Sequence, residues 1–307
     1  MLTLAVNLLI LFGAPLLLVG VINRTKALWA GRRGAPFVQP FHDFFRLLRK
    51  GTVISDTTTP VFKLAPSVNL AAVILAGLMV PLAGGGAIVS FEGDFVLFAY
   101  LMAMGKFARV LAAMDTGSSF EGMGASREAL FSGLVEPAFF LLMAGCMAIA
   151  GQTSLADALP ALQRSGGLLQ VALVLGVISF FIMLLVEGCR VPVDDPNTHL
   201  ELTMIHEVMV LDHSGPDLAF LQYAAALKLV IVGALIAALV LPSAAPLGVS
   251  AALLLLVLAA VAVATGLVES VPARLRMTHV SQFVFLMTSN GLIVLAVVLL
   301  FKFGGLR

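Results

Sequence analysis

The stretch LLQVALVLGVISFFIMLLVE, Leu168 to Glu187, decides the fold: it carries no ionisable side chain until the carboxylate that closes it. A helix rises 1.5 Å per residue, so about twenty residues cross the roughly 30 Å hydrocarbon core of a bilayer. Seven more runs of comparable length and character flank this one, at residues 2–22, 65–82, 94–114, 130–150, 218–241, 247–268 and 280–301. The end of the second run is open as far as Ser90, because Pro81 and Gly84 to Gly86 blur it without supplying a charge.

Composition agrees with this reading. Apolar residues make up 60% of the 307 and charged residues 11%, against about 45–50% and 25% in soluble domains. The expectation is an all-α polytopic membrane protein with about eight transmembrane helices, forming one integral membrane domain over residues 1–307, since no tandem repeat or low-complexity tail is visible. The N-terminal run has no preceding basic residue and is too long for a signal-peptide core, so it should stay as a membrane helix. A net charge of +1 advertises no polyanion-binding surface, which argues against a nucleic-acid partner. The two cysteines, Cys146 and Cys189, provide no paired spacing for zinc, an iron–sulfur cluster or nickel, and they exclude a disulfide framework. Any redox centre therefore belongs to another subunit, and Cys146, inside an apolar run, reads as a small buried hydrophobe.

The Lys and Arg residues set an orientation. Arg24, Lys26, Arg32, Arg33, Arg46, Arg49, Lys50, Lys63, Arg127, Arg190, Arg274 and Arg276 fall on one side of the alternating spans, and only Arg164, Lys302 and Arg307 on the other. The first side is expected to be cytoplasmic, with both termini outside the cytoplasm. In its first loop, Phe41, Phe44, Phe45 and Leu48 repeat at i, i+3, i+4 and i+7 behind Pro40, while His42, Asp43, Arg46, Arg49 and Lys50 fall largely elsewhere. That pattern is a short amphipathic helix, either a plain interfacial anchor or the lip of a chamber where Arg46 and Arg49 face a partner.

Ionisable residues inside the spans are costly, about 2.5–3.5 kcal/mol each at a helix centre on insertion scales, and usually face partners, water or an ion path. Lys106 and Arg109 share a face of the third span, Glu136 lies in the fourth, Glu187 closes the fifth, and Lys228 sits near the middle of the sixth. One reading is a proton-conducting chain; the other is a set of structural ion pairs, such as Glu136 with Arg109, holding helices in register.

The most polar segment runs from Glu187 to Asp217. Asp195 as an N-cap, Pro196 at the first helical position and Ser214-Gly215-Pro216 as a stop frame a helix of about four turns. His199, His206 and His213 recur every seven residues on roughly one face, too far apart to share a metal without other ligands. His206-Glu207 begins like a zinc-protease helix, but Val210 stands where the second histidine belongs, so no metal site is expected. Gly84 to Gly86 and Gly122-x-Gly124 complete no nucleotide-binding pattern.

Three stretches then come together: Gly31-Arg32-Arg33-Gly34 with Gln39-Pro40, Asp115 to Glu128 (DTGSSFEGMGASRE), and Pro196 to Glu207 (PNTHLELTMIHE). They resemble the family of complex I subunit 1. The resemblance is nearest its formate hydrogenlyase subunit 4 branch, the membrane anchor of group 4 nickel–iron hydrogenases, and covers nearly the whole chain. It implies a membrane subunit that docks a soluble electron-transfer arm and starts a charged path towards antiporter-like subunits, coupling redox chemistry elsewhere to proton or sodium translocation. Nickel–iron and iron–sulfur centres would lie in hydrogenase-like large and small subunits and iron–sulfur partners, with no cofactor on this chain. The setting implied is a bacterial or archaeal cytoplasmic membrane.

By motif matching, Arg127 and Glu136 fall beside the quinone chamber of complex I members, and Glu187, Arg190, Asp194 and Glu201 match the fifth-helix end and the loop after it. Glu207 and the intramembrane Lys106, Arg109 and Lys228 join the coupling set, while Arg127, Arg190, His199 and His206 join Arg46 and Arg49 as chamber or docking residues. Departures from the quinone pattern favour the hydrogenase branch: His199 replaces a common glutamate, the loop before Asp212 is about three residues longer, and Lys228 occupies an acid-rich region. The alternatives are the quinone-chamber subunit of an NADH- or ferredoxin:quinone oxidoreductase, a stand-alone secondary ion transporter, which the lack of inverted repeats weakens, and a purely structural anchor.

Overall fold

The apolar runs fold as helices that mostly overrun the runs themselves. In the computed structural model, which describes residues 1–164, 167–194, 205–242, 245–271 and 277–303, these helices are α1 (Leu2–Trp29), α2 (Gln39–Leu48), α3 (Pro60–Leu78), α4 (Asp94–Asp115), α5 (Ser119–Ala150), α6 (Leu155–Ala161), α7 (Leu168–Glu187), α8 (Gly215–Val240), α9 (Leu247–Ser270) and α10 (Met277–Phe303). Eight are long and apolar enough to cross a membrane, and no strand occurs among the described residues. The second span stops at Leu78, short of Ser90, where the chain passes into turns.

Short polar side chains and prolines fix the helix starts. Thr59 caps α3 by accepting from the Val61 N–H at 3.3 Å, with Pro60 at its first position. Ser214 stands at the N-cap of α8 without a side-chain cap bond, its hydroxyl bonding Val53 instead, and Pro216 sits in the first turn, so these residues open α8 and do not close the helix expected before it. Of that expected four-turn helix, residues 195–204 lie outside the described residues. The described part, 205–214, is a series of turns with one 3-10 turn at Val208–Val210.

Contacts sort the loops onto two faces. On the basic face Asp115 accepts from Thr59, Ser214 bonds Val53, and Lys26 at the end of α1 pairs with Glu269 at the end of α9. On the opposite face Asp94 accepts from Ser154 and Leu155, Gly84 donates to Ser250, and Lys302 donates to Ala148. The start of α1 and the end of α10 share this second face, as an even number of crossings requires. Helix α8 is the hub: 78% of its most apolar window is buried, against 28% for α9 and α10. Its neighbours include α1, α3, α7 and the amphipathic α2, which lies across the basic face against α1 and α8. Phe44 of α2 packs on Tyr223 of α8, whereas Phe45, grouped with it by periodicity, points outward and is exposed.

Candidate functional site

The site begins where α7 ends. Its last turn closes with Cys189 N–H on the Val186 carbonyl at 3.3 Å and Arg190 N–H on the Leu185 carbonyl at 2.9 Å, around Cys189 in the left-handed region at φ 56°. Helices usually place glycine there; a side chain costs about 1 kcal/mol or more. A Cβ on the preceding Gly188 would sit 2.7 Å from the Leu184 carbonyl and against Leu229, so α7 stops pressed onto α8. Residues 188–194 leave the helix while still buried, as non-helical backbone at membrane depth must be.

Glu187, at this buried C-terminus, is the centre of a triad. Lys106 Nζ from α4 lies 2.5 Å from one carboxylate oxygen and Lys228 Nζ from α8 lies 3.0 Å from the other. The negative end of the α7 dipole adds to the attraction for the two ammonium groups. One turn along α4, Arg109 Nη2 lies 3.1 Å from Glu128 of α5. Glu128 also meets His206 Nε2 at 3.0 Å, and His206 Nδ1 lies 3.2 Å from Asp194, whose carboxylate accepts the His206 backbone N–H at 2.8 Å. Burial alone disfavours an imidazolium here, but Cys189, Glu128 and Asp194 outweigh it and hold the His206 pKa well above the ordinary histidine value. A charged ring donates to both carboxylates at once.

These groups therefore form two buried clusters joined through α4: Asp194, His206, Glu128 and Arg109 in one, Lys106, Glu187 and Lys228 in the other. Glu136 stands beside the second, sharing with Lys106 and Glu187 a void of about 20 Å³, room for one water molecule. The pairing expected of Glu136 with Arg109 is not made; Arg109 takes Glu128.

Next to the first cluster is a cavity of about 330 Å³, walled by α1, α2, α8 and the segments after α7. Arg109, Arg190, His206 and Glu207 line it. Arg190 also lies 3.3 Å from Glu269, which draws α9 and Lys26 towards the same wall. The Nε–H groups of Arg109 and Arg190 are buried without a protein acceptor. Arg46 does not reach the cavity, pairing instead with Asp43 on its own helix, and the exposed Arg49 is absent from the lining. Arg127 is half-buried outside both clusters. His199 and Glu201 lie outside the described residues.

Glu128, Glu121, Glu269 and Lys26 are site residues that the sequence reading does not single out. Three carboxylates of the Asp115–Glu128 motif each hold a different segment: Asp115 the start of α3, Glu121 the Asp212 N–H at 3.1 Å, and Glu128 the ring of His206. Gly124 lets the loop close on this face of α5, since a Cβ there would meet Val208 and lie 2.8 Å from the Ile205 carbonyl. The signal was present as spacing: 121, 124, 125 and 128 mark one helical face. Among the described residues no group of three or more His, Cys, Asp and Glu is arranged to hold a metal ion.

Eight spans, an amphipathic helix and a buried acid–base network beside a cavity define a polytopic membrane subunit with an ionisable interior. The family profile described as NADH dehydrogenase matches residues 2–301, and the chain belongs to that family. Formate hydrogenlyase subunit 4 of Escherichia coli (strain K12) is 28% identical over 224 residues, covering 73% of this chain and 72% of the relative. Hydrogenase-4 component C of the same organism is 28% identical over 226 residues, covering 74% and 70%. A chain from the structure of the membrane-bound sulfane sulfur reductase, an archaeal respiratory membrane complex, shares the fold with a TM-score of 0.81 at 22% identity, covering 97% of this chain and 100% of that one.

Proposed function

We propose that this chain is the membrane anchor of a complex I-like, group 4 nickel–iron hydrogenase-type assembly in a prokaryotic cytoplasmic membrane. It docks a soluble electron-transfer arm on its basic face and couples redox chemistry there to proton or sodium movement through the membrane. The observation that carries this reading is the succession of buried ionisable groups from His206 on the cavity wall and Asp194 paired with it, through Glu128 and Arg109, to the triad at mid-helix in α8. Such groups change protonation when charge nearby changes, and the arginines tune them. Nickel–iron and iron–sulfur centres belong to the partner subunits in this reading, the basic face is cytoplasmic, and both termini lie outside. Asp194, His206, Glu128, Arg109, Lys106, Glu187, Lys228 and Glu136 form the path, with Glu207 beside its start; Glu201, outside the described residues, joins it by the resemblance alone.

The test is gentle extraction with an affinity tag, mass spectrometry of co-purifying subunits, and assays for nickel, iron and quinone. A nickel-bearing large subunit with iron–sulfur partners supports the reading. A chain that purifies alone overturns it and leaves the secondary transporter to be tested in liposomes. The cavity of about 330 Å³ favours a second reading: iron–sulfur partners with bound quinone and no nickel would make this the chamber subunit of a quinone oxidoreductase.

A further inference from the structure

Helices α9 and α10 are the two least buried spans, yet they turn opposite kinds of surface outward. Every exposed residue of α9 is apolar. Its hydroxyls are spent on the chain itself: Ser250 accepts from the Gly84 N–H at 2.8 Å, Thr265 donates to the Val261 carbonyl at 2.8 Å, and Ser270 to the Gly266 carbonyl at 2.7 Å. Lipid tails are a sufficient neighbour for such a helix. On α10 the amides of Gln282, exposed, and Asn290, half-buried, make no hydrogen bond with any described residue. Asn290 is the middle residue of α10 (Met277–Phe303), about 20 Å from either end. Lys302, donating to the Ala148 carbonyl at 2.8 Å, marks the end on the opposite face. The amide therefore sits near the centre of the roughly 30 Å hydrocarbon core, where neither water nor an acyl chain can bond it.

The residues around it have the spacing of a helix–helix seam. Gln282, Leu286, Ser289, Ile293, Ala296 and Leu300 follow at alternating steps of four and three, and all are exposed. Small or polar residues thus recur every seventh position between large apolar ones, the repeat by which two helices interlock at a shallow crossing angle. The Ser289 hydroxyl is bonded back to the Phe285 carbonyl at 3.1 Å, so this serine contributes its small size, which lets a second backbone come close. Asn290 lies at the edge of that seam, one position on from Ser289. We propose that this face of α10 docks a transmembrane helix of a neighbouring membrane subunit, one that carries an amide or hydroxyl side chain at mid-membrane to pair with Asn290, while α9 faces lipid. The partner comes from the multisubunit assembly proposed above, on which this docking therefore rests.

The test uses the intact assembly in its own membranes. A genetically encoded diazirine amino acid replaces either Ile293 on the seam or Leu255 on α9, which are matched in exposure at 47% and 46%. After illumination the products are identified by mass spectrometry. The probe at Ile293 should join a membrane-spanning peptide of another subunit, with lipid adducts the minor product, and the probe at Leu255 should give lipid adducts. Lipid adducts at Ile293 as abundant as those at Leu255 would overturn the proposal, and so would a cross-link to a second copy of this chain. Asn290→Leu combined with Gln282→Leu gives a second reading, since it removes both amides and leaves the chain no less apolar. Recovery of membrane subunits with the tagged chain in mild detergent should fall about tenfold, the size expected when interhelical hydrogen bonds are lost, while the chain itself extracts as well as the native one. Unchanged recovery would overturn the pairing through Asn290. Nickel and iron–sulfur subunits that co-purify while Ile293 labels only lipid would sink this docking face and leave the proposed function standing. A cross-linked membrane subunit in an assembly without nickel would do the reverse, and a chain that purifies alone would sink both.

Discussion

His206 joins two carboxylates from different parts of the chain, with Nδ1 3.2 Å from Asp194 and Nε2 3.0 Å from Glu128. The imidazolium sits where the loop after α7 meets α5, so it is at once the lock of that loop and the first link between cavity wall and membrane interior. A buried carboxylate that loses its partner is expensive, and His206 serves two.

His206→Gln tests both roles. Glutamine can donate to one carboxylate and carries no charge, so loop docking should weaken by about 2–3 kcal/mol. Amide hydrogen exchange across residues 205–213 should accelerate, and ion translocation by the assembled complex should fall while redox turnover with an artificial acceptor persists. Native exchange together with full translocation would remove His206 from the path.

The triad at Glu187 predicts an order of damage. Two ammonium groups share one carboxylate, so Glu187→Gln removes the ion-pair partner of both at once, a loss of about 3–5 kcal/mol. Lys228→Met or Lys106→Met leaves a neutral pair and should cost clearly less. Thermal unfolding of the three variants in detergent checks the ranking, and a Glu187→Gln protein as stable as either lysine variant would contradict it.

The spans were legible because bilayer thickness imposes a length that no soluble core requires, and the facing of Lys106 and Arg109 followed from helical spacing. Their partners were not legible. Glu187 is 81 positions from Lys106 and 41 from Lys228, and Glu269 is 79 from Arg190; no local pattern ties such residues. Glu136 attracted attention because it lies deep in an apolar run. Glu128, which takes the pairing expected of Glu136, sits one residue after Arg127 in a polar stretch, where no apolar run marks it as buried. The helix framed by Asp195 and Ser214 illustrates another limit: serine, glycine and proline in succession mark a boundary without saying whether a helix ends or begins there, and here α8 begins.

Gly124 predicts that a good helix former can destabilise a helix's docking. Alanine is favoured over glycine within a helix by about 1 kcal/mol, yet a methyl at this position would press on Val208 and lie 2.8 Å from the Ile205 carbonyl. Gly124→Ala should therefore leave α5 intact and displace the loop, raising protease sensitivity between residues 205 and 213. The same change at Gly122, which has open space around its Cβ position, is the control and should leave the loop protected.

His213 gives the loop an acid-sensitive anchor. Its ring stacks on Phe62 with centroids 4.0 Å apart and planes at 4°, and burial pushes its pKa down to about 4 from the ordinary 6.5. The undocked loop therefore binds the proton more readily than the docked one, and docking free energy supplied by neutral His213 is complete above about pH 6.5. It is lost as pH falls towards 4, by about 3 kcal/mol at most. His206 works in the opposite sense: its raised pKa makes its contribution complete below 6.5 and lost only as pH rises through the elevated value. Replacing His213 with phenylalanine keeps a ring against Phe62 and removes the titration. Between pH 6.5 and 4, hydrogen exchange across 205–213 should rise less steeply in His213→Phe than in the native complex, with the two converging near neutral pH. Identical slopes would show that the other acidic groups of the loop, and not this ring, set its response to acid.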